Sequence, residues 1–415
     1  MTKLLQTYTF LCKKSCALVG ISACLVFTGC ASSDQVPQGT ESNAQKAARL
    51  VQENIIVDGH IDVPYRVEKS WVDVTQATSG GDFDYPRARA GGLDAPFMSI
   101  YVPASLDNSD ASTALAHDLI DSVEAIVGRA PDKFALAYSV QDVQDNFDKG
   151  LISLPMGMEN GSPVQGSLDT LKTFYERGIR YITLAHSQSN HISDSSYDIR
   201  RQWKGLSPFG KEMVQEMNRL GIIVDISHVS DAAFYQSVEI SAAPVIASHS
   251  SLRQFTPGFE RNMSDEMIKA LAENEGVIMI NFGSGFVSPV ARTWRDRLGE
   301  QRQSLIDTYG EDSEQVSDFN QKYAEQNPYP FATLDMVLDH IDHVRDLVGI
   351  DYIGIGSDYD GVGDSLPAGL KDVSSFPNLV EGLLERGYSE DDIKKILNEN
   401  VLRVWREVER VAAQN

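Results

Sequence analysis

The sequence predicts an α/β fold, a (β/α)8 barrel of the TIM type with a helical insertion after its seventh strand. Three observations carry this. From about residue 46 onward, eight short apolar runs alternate with amphipathic stretches. The runs are nearly continuous in apolar residues, as in strands buried on both faces, and the helices between them imply parallel crossovers. Six of the eight runs end in a histidine or a carboxylate, and the C-terminal ends of barrel strands all meet on one face. A doubly wound open sheet is the alternative, and no GxGxxG follows the first run to support a dinucleotide-binding version of it.

In order, the runs are IIVDGHID (55–62), APFMSIYVP (95–103), LISLPMGME (151–159), IRYITLAH (179–186), IIVDISH (222–228), PVIASHS (244–250), GVIMINF (276–282) and YIGIGSD (352–358). Stretches such as LDTLKTFYERG (168–178) and FGKEMVQEMNRLG (209–221) read as the intervening helices. The first run has a spacing of two between Asp58, His60 and Asp62, which sends all three to one side of a strand. It therefore delivers His60 and Asp62 to the active face, with Asp58 one step deeper as a hydrogen-bonding group behind them. The other runs deliver Glu159, His186, His228, His249 and Asp358. A lone histidine at a strand end is usually a hydrogen-bonded structural residue. Here four of the eight histidines fall at predicted strand ends, and that concentration points to a metal site. His117, His340 and His343 lie on helical stretches as surface or packing residues, and His191 lies on a loop facing solvent. Ser248-His249-Ser250 without any GxSxG does not make a serine hydrolase.

Composition narrows the chemistry. The formal net charge is -23, with no basic patch interleaved with aromatics, so nucleic acid is not an expected partner. The four cysteines, Cys12, Cys16, Cys24 and Cys30, all lie in the first thirty residues. The rest of the chain has no thiol for a disulfide, a nucleophile or a metal, so any metal is held by histidine and carboxylate.

The cysteines belong to a separate segment. Lys3, Lys13 and Lys14 precede an apolar stretch too short for an ordinary membrane span, which is the pattern of a secretory signal. Phe27-Thr28-Gly29-Cys30 resembles a bacterial lipobox, with Phe27 where leucine is usual. The expected organisation is a lipoprotein signal peptide over 1–29 and a flexible tether over 30–45, with lipid on Cys30. A single barrel domain then covers 46–415.

Beyond about residue 50 the chain resembles the membrane dipeptidase (renal dipeptidase) family of the metal-dependent amidohydrolases. The motifs carrying the resemblance are Asp58-Gly59-His60-Ile61-Asp62, Asp84-Tyr85-Pro86-Arg87, Gly157-Met158-Glu159-Asn160-Gly161, Val224-Asp225-Ile226-Ser227-His228, Ser248-His249-Ser250, Arg261-Asn262 and Gly356-Ser357-Asp358-Tyr359-Asp360-Gly361. The resemblance implies two zinc ions, one on His60 and Asp62 and one on His228 and His249, bridged by Glu159 and by a water or hydroxide. It further implies that His186 stabilises the oxyanion and helps bind substrate. Asp358 would shuttle the proton, and Arg261 would hold the substrate's free carboxylate. Family members are often dimers, and the sequence carries no diagnostic interface. Three departures stand out. Ile61 occupies a position where asparagine is expected, SQSNHISDSS (187–196) replaces a Pro-Trp segment, and residues 283–330 form a polar, helical insertion.

The expected function is a zinc dipeptidase of the bacterial envelope, lipid-anchored on the periplasmic side of the outer membrane and acting on small dipeptides. The alternative keeps the binuclear site and changes the bond, as in an amidohydrolase of N-acyl amino acids or lactones. A non-catalytic lipoprotein is disfavoured, because all the ligand positions and Asp358 are present.

Overall fold

In the computed structural model, which describes residues 41–414, the apolar runs form eight parallel strands that close into a barrel. The strands are β1 (Val57–Ile61), β2 (Ala95–Tyr101), β3 (Met156–Glu159), β4 (Ile179–Thr183), β5 (Ile223–Asp225), β6 (Ile246–Ser250), β7 (Val277–Ile280) and β8 (Ile353–Ile355). Each pairs with its neighbour in chain order, and β8 returns to β1. This is the expected (β/α)8 architecture.

The single run 151–159 divides into two strands. Within 151–159, Ile152–Leu154 pairs with Phe134–Leu136 in a small side sheet, and only Met156–Glu159 enters the barrel. Pro155 divides them, since proline has no N–H to continue a ladder. The predicted insertion is helical, with helices Ser284–Val287, Pro289–Tyr309, Glu314–Ser317 and Phe319–Gln326 between β7 and the helix Leu334–Val348.

The first described helix, Asn43–Glu53, begins inside the segment assigned to the tether. Ser42 and Gln45 form a reciprocal capping box, and Ala47, Leu50 and Val51 bury its inner face, so 43–45 belong to the folded body. The signal segment 1–29, Cys30 and the tether up to 40 lie outside the described residues. Among the described residues, no helix is long and apolar enough to cross a membrane.

The barrel interior is divided along its axis. Near the N-terminal ends of the strands, Val57, Phe97, Ile223, Ile246 and Val277 pack with Val404, Trp405 and Val408 of the last helix, Asn400–Ala412. At the other end, the closing seam between β1 and β8 runs into polar residues. There the Asp62 N–H donates to the Tyr359 carbonyl (2.9 Å) and the Asp358 N–H to the His60 carbonyl (3.1 Å). The Ser357 N–H donates to Asp58 Oδ1 (2.9 Å).

Candidate metal centre

The sequence-predicted residues converge at this polar end. His60 lies in β1 and His249 in β6, each within a stretch where pairing to the next strand shifts register, between Asp58 and Ile61 and between Ala247 and Ser250. Such irregularities re-aim side chains next to active sites. Asp62 follows β1 directly, Glu159 ends β3, and His186, His228 and Asp358 stand three residues beyond β4, β5 and β8.

Glu159 sits at the centre. Its Oε2 faces His60 Nε2 at 3.4 Å. Its Oε1 faces His228 Nε2 at 3.1 Å, His249 Nε2 at 3.3 Å and His186 Nε2 at 3.5 Å. His60 Nε2 also lies 3.3 Å from Asp62 Oδ2, and the Nε2 atoms of His228 and His249 are 2.8 Å apart. Three overlapping triads among the described residues hold donor atoms at metal-binding distance from one another: His60–Glu159–His249, Glu159–His186–His228 and His60–Asp62–Asp358. The buried Nε2 of His60 and Oδ1 of Asp62 have no hydrogen-bond partner. Two imidazole nitrogens at 2.8 Å share one proton at most. Convergent lone pairs on buried nitrogen and oxygen, without sulfur, fit divalent cations of the zinc type.

A further layer aims these donors. The Tyr181 hydroxyl lies 2.7 Å from His60 Nδ1, leaving Nε2 to face the centre. The Tyr181 ring fits there because residue 157 is glycine, where a Cβ would stand 2.0 Å from the ring. Ser248 Oγ lies 2.8 Å from His249 Nδ1 and donates to Asp225 Oδ2 (2.7 Å), which also accepts from Thr183 Oγ1 (2.5 Å). Asn281 Nδ2 donates to Asp358 Oδ2 (2.7 Å). Such partners fix the tautomer and ring orientation of ligating histidines. Tyr181 and Asn281 went unread in the sequence because they sit inside apolar runs. Asp225 stood in a quoted motif without a role. Asp58 lies behind the donors as expected, accepting from the His60 N–H at 3.2 Å as well as from Ser357.

Burial dominates the electrostatics. It raises the Asp358 carboxyl, with Asp62 and Glu159 adding and His60 opposing, to about 8. It pushes His228 and His249 well below the usual imidazole range, so both are neutral donors. Burial alone would raise Glu159 too. His60 and His186 beside it, with the His228 and His249 rings against it, outweigh that and hold it well below the usual range. A bound cation reverses this logic for the carboxylates around it. The backbone is strained at the same place. Asn160, His228, Asp358 and Asp360 have φ of 76°, 70°, 63° and 66°. Left-handed non-glycine residues cost about 1–3 kcal/mol each and persist only where their surroundings fix them.

A cavity of about 770 Å³ opens over the centre, lined by Asp62, Tyr101, Glu159, His186, His228 and Asp358 among others. Arg261 lies just behind its wall, buried over the Phe286 ring (5.5 Å). It donates from Nη1 to Ser250 Oγ and from Nη2 to the His249 carbonyl (both 2.7 Å). Its Nε has no partner. His191 is half-buried rather than solvent-facing. It accepts from the Gly166 N–H (3.1 Å) and packs on Phe209, away from the cavity lining.

The membrane dipeptidase family (Peptidase family M19) matches residues 44–415, which is the whole barrel. The chain belongs to this family. A dipeptidase tcpJ of Claviceps purpurea is 35% identical over 340 residues, covering 80% of this chain and 71% of the relative. Dipeptidase 3 of Mus musculus is 33% identical over 376 residues, covering 88% and 67%. Among solved structures, the probable dipeptidase PvdM from Pseudomonas aeruginosa superposes with a TM-score of 0.79 at 27% identity, covering 89% of this chain and 99% of that one. As a member of this family the chain is a metal-dependent dipeptidase, and its candidate metal-binding residues lie at the centre of the barrel mouth.

Proposed function

We propose that this dipeptidase uses two zinc ions and cleaves dipeptides that carry a free C-terminal carboxylate. The observation that carries the two-ion reading is the split of Glu159, whose Oε2 faces His60 beside Asp62 and whose Oε1 faces His228 and His249. His60 and Asp62 would hold one ion and His228 and His249 the other, with Glu159 shared. Bound there, the ions would polarise the scissile carbonyl and acidify a water.

The chain's own residues do the rest. His186 lines the cavity and offers Nε2 as a donor to the developing oxyanion. Asp358 takes the proton lost by the attacking water and passes it to the leaving amine. Asn281 holds its Oδ2, leaving Oδ1 to carry the proton between the two. Arg261 holds the substrate carboxylate with the donors it does not spend on His249 and Ser250, a charge-assisted contact. Asp360, also on the cavity lining, is already held by the Arg66 guanidinium (3.1 Å) and the Asp82 N–H (2.7 Å). Lipid on Cys30 would tether the enzyme to the periplasmic face of the outer membrane, as the lipobox-like sequence supports.

The deciding experiment is elemental analysis together with hydrolysis of a small L,L and L,D dipeptide library, run beside N-acetyl amino acids and lactones. Two zinc ions per chain and turnover of dipeptides are expected, with both lost in Glu159→Ala. A single ion, or turnover confined to the acylated compounds, refutes the reading. Cys30→Ser should move the protein from the membrane to the soluble fraction.

A further inference from the structure

Resting on that dipeptidase reading, we propose that Arg292 and Arg295 form a cationic wall of the cavity. This wall would select an acidic side chain on the C-terminal residue of the dipeptide. Both belong to the inserted helix Pro289–Tyr309, and among the residues lining the cavity they alone carry fixed positive charge. The rest of the charged lining is acidic or histidine: Asp62, Glu159, Asp358 and Asp360 with His186 and His228. In a chain of net charge -23, two arginines turned into the active cavity need an account.

Their environment gives one. Arg295 makes no ion pair or hydrogen bond among the described residues, although it is only partly exposed. It lies against Gly285, where a Cβ would fall 2.7 Å from the Arg295 Cδ, so the glycine leaves room for that side chain beside the cavity. Arg292 pairs with Asp296 one turn along the helix and stands over the Phe259 ring at 4.4 Å, with its buried Nε unpartnered. The guanidinium face on an aromatic ring fixes its plane and leaves donors at its edge for a carboxylate.

The aromatic pair also assigns the end of the substrate. Phe259 and Phe286 have ring centroids 5.8 Å apart. Arg292 stands over the first and Arg261 over the second. The wall is thus next to the residue proposed to hold the main-chain carboxylate, on the C-terminal side of the scissile bond. Arg261 is bonded to the backbone of His249, whereas neither Arg292 nor Arg295 bonds a metal-ligand candidate. The wall arginines therefore face the side chain of that residue rather than its main chain.

The test compares kcat/KM for Ala-Glu and its neutral isostere Ala-Gln, using the full-length protein as purified. The wild type should favour Ala-Glu by about ten-fold, the effect of one charge-assisted hydrogen bond discounted for exposure. The ratio should shrink at high salt. Arg295→Met and Arg292→Met should bring it toward one, and Arg295→Glu should shift preference to Ala-Lys. A purely structural role would slow both substrates equally and leave the ratio unchanged, which overturns the proposal. Turnover of Ala-Gln at the same rate as Ala-Glu in the wild type overturns this inference alone. No turnover of any dipeptide overturns the proposed function and this inference together.

Discussion

The two ends of the barrel are made from the same eight strands and have opposite character. At the strand N-termini, Val57, Ile223, Ile246 and Val277 close on Trp405, which is fully buried. At the strand C-termini, His60, Glu159, His228 and His249 crowd together with unpartnered donor atoms and strained backbone. Barrel enzymes commonly separate stability and chemistry this way. One residue here belongs to both ends. The Tyr181 ring lies 5.3 Å from Phe97, which lies 5.3 Å from Trp405, while the Tyr181 hydroxyl reaches His60. The separation is therefore a division of labour among side chains, with Tyr181 as the shared member.

That contrast can be broken at four points. Trp405→Ala should cost about 3–5 kcal/mol of stability by opening a cavity, measured by denaturant unfolding, with the metal affinity of the folded fraction little changed. If instead metal affinity falls further than stability explains, the two ends are not separable. Asp358→Asn should lower kcat by roughly 10²–10⁴-fold and keep the metal. Near-normal kcat would transfer the proton role to Asp360. Tyr181→Phe keeps the ring and loses the hydroxyl, so stability should hold while metal affinity drops about 10–100-fold, read by competition with a chelator.

The smallest effect is expected at Asp94, beside the start of β2. Burial raises this carboxyl to about 7, against the Ile56 N–H and Arg89 that favour its charge. Its folded-state value lies above the ordinary value of about 4, so its contribution to stability is full below that pH. The contribution is lost as pH rises through 7. Asp94→Asn should flatten the fall in melting temperature between pH 5 and pH 8. An equally steep fall in the variant would assign the pH dependence elsewhere.

Much of this was legible in the sequence. All eight barrel strands were, because strands buried on both faces leave unbroken apolar runs. The donors were, because four of the eight histidines gather at the ends of such runs. Pro155 hid the boundary between two strands inside one run. Tyr181 and Asn281 were hidden because their task depends on what stands across the barrel, and a tyrosine inside IRYITLAH reads as packing until Gly157 is seen to clear space for it. Arg292 and Arg295 fell in a stretch whose helical pattern was plain. Which way that helix turns its arginines follows from tertiary packing, and periodicity does not encode it.

The seam between β1 and β8 has a consequence for biosynthesis. His60 and Asp358 are joined through backbone there, although nearly three hundred residues separate them in the chain. Contacts of such long range form late, since closing a large loop costs entropy before any contact repays it. No partial product of translation that stops short of β8 can assemble the complete pocket. Hydrolytic competence is thus a property of the finished chain, and a peptide bond is at risk from this enzyme only after the last strand has closed the ring.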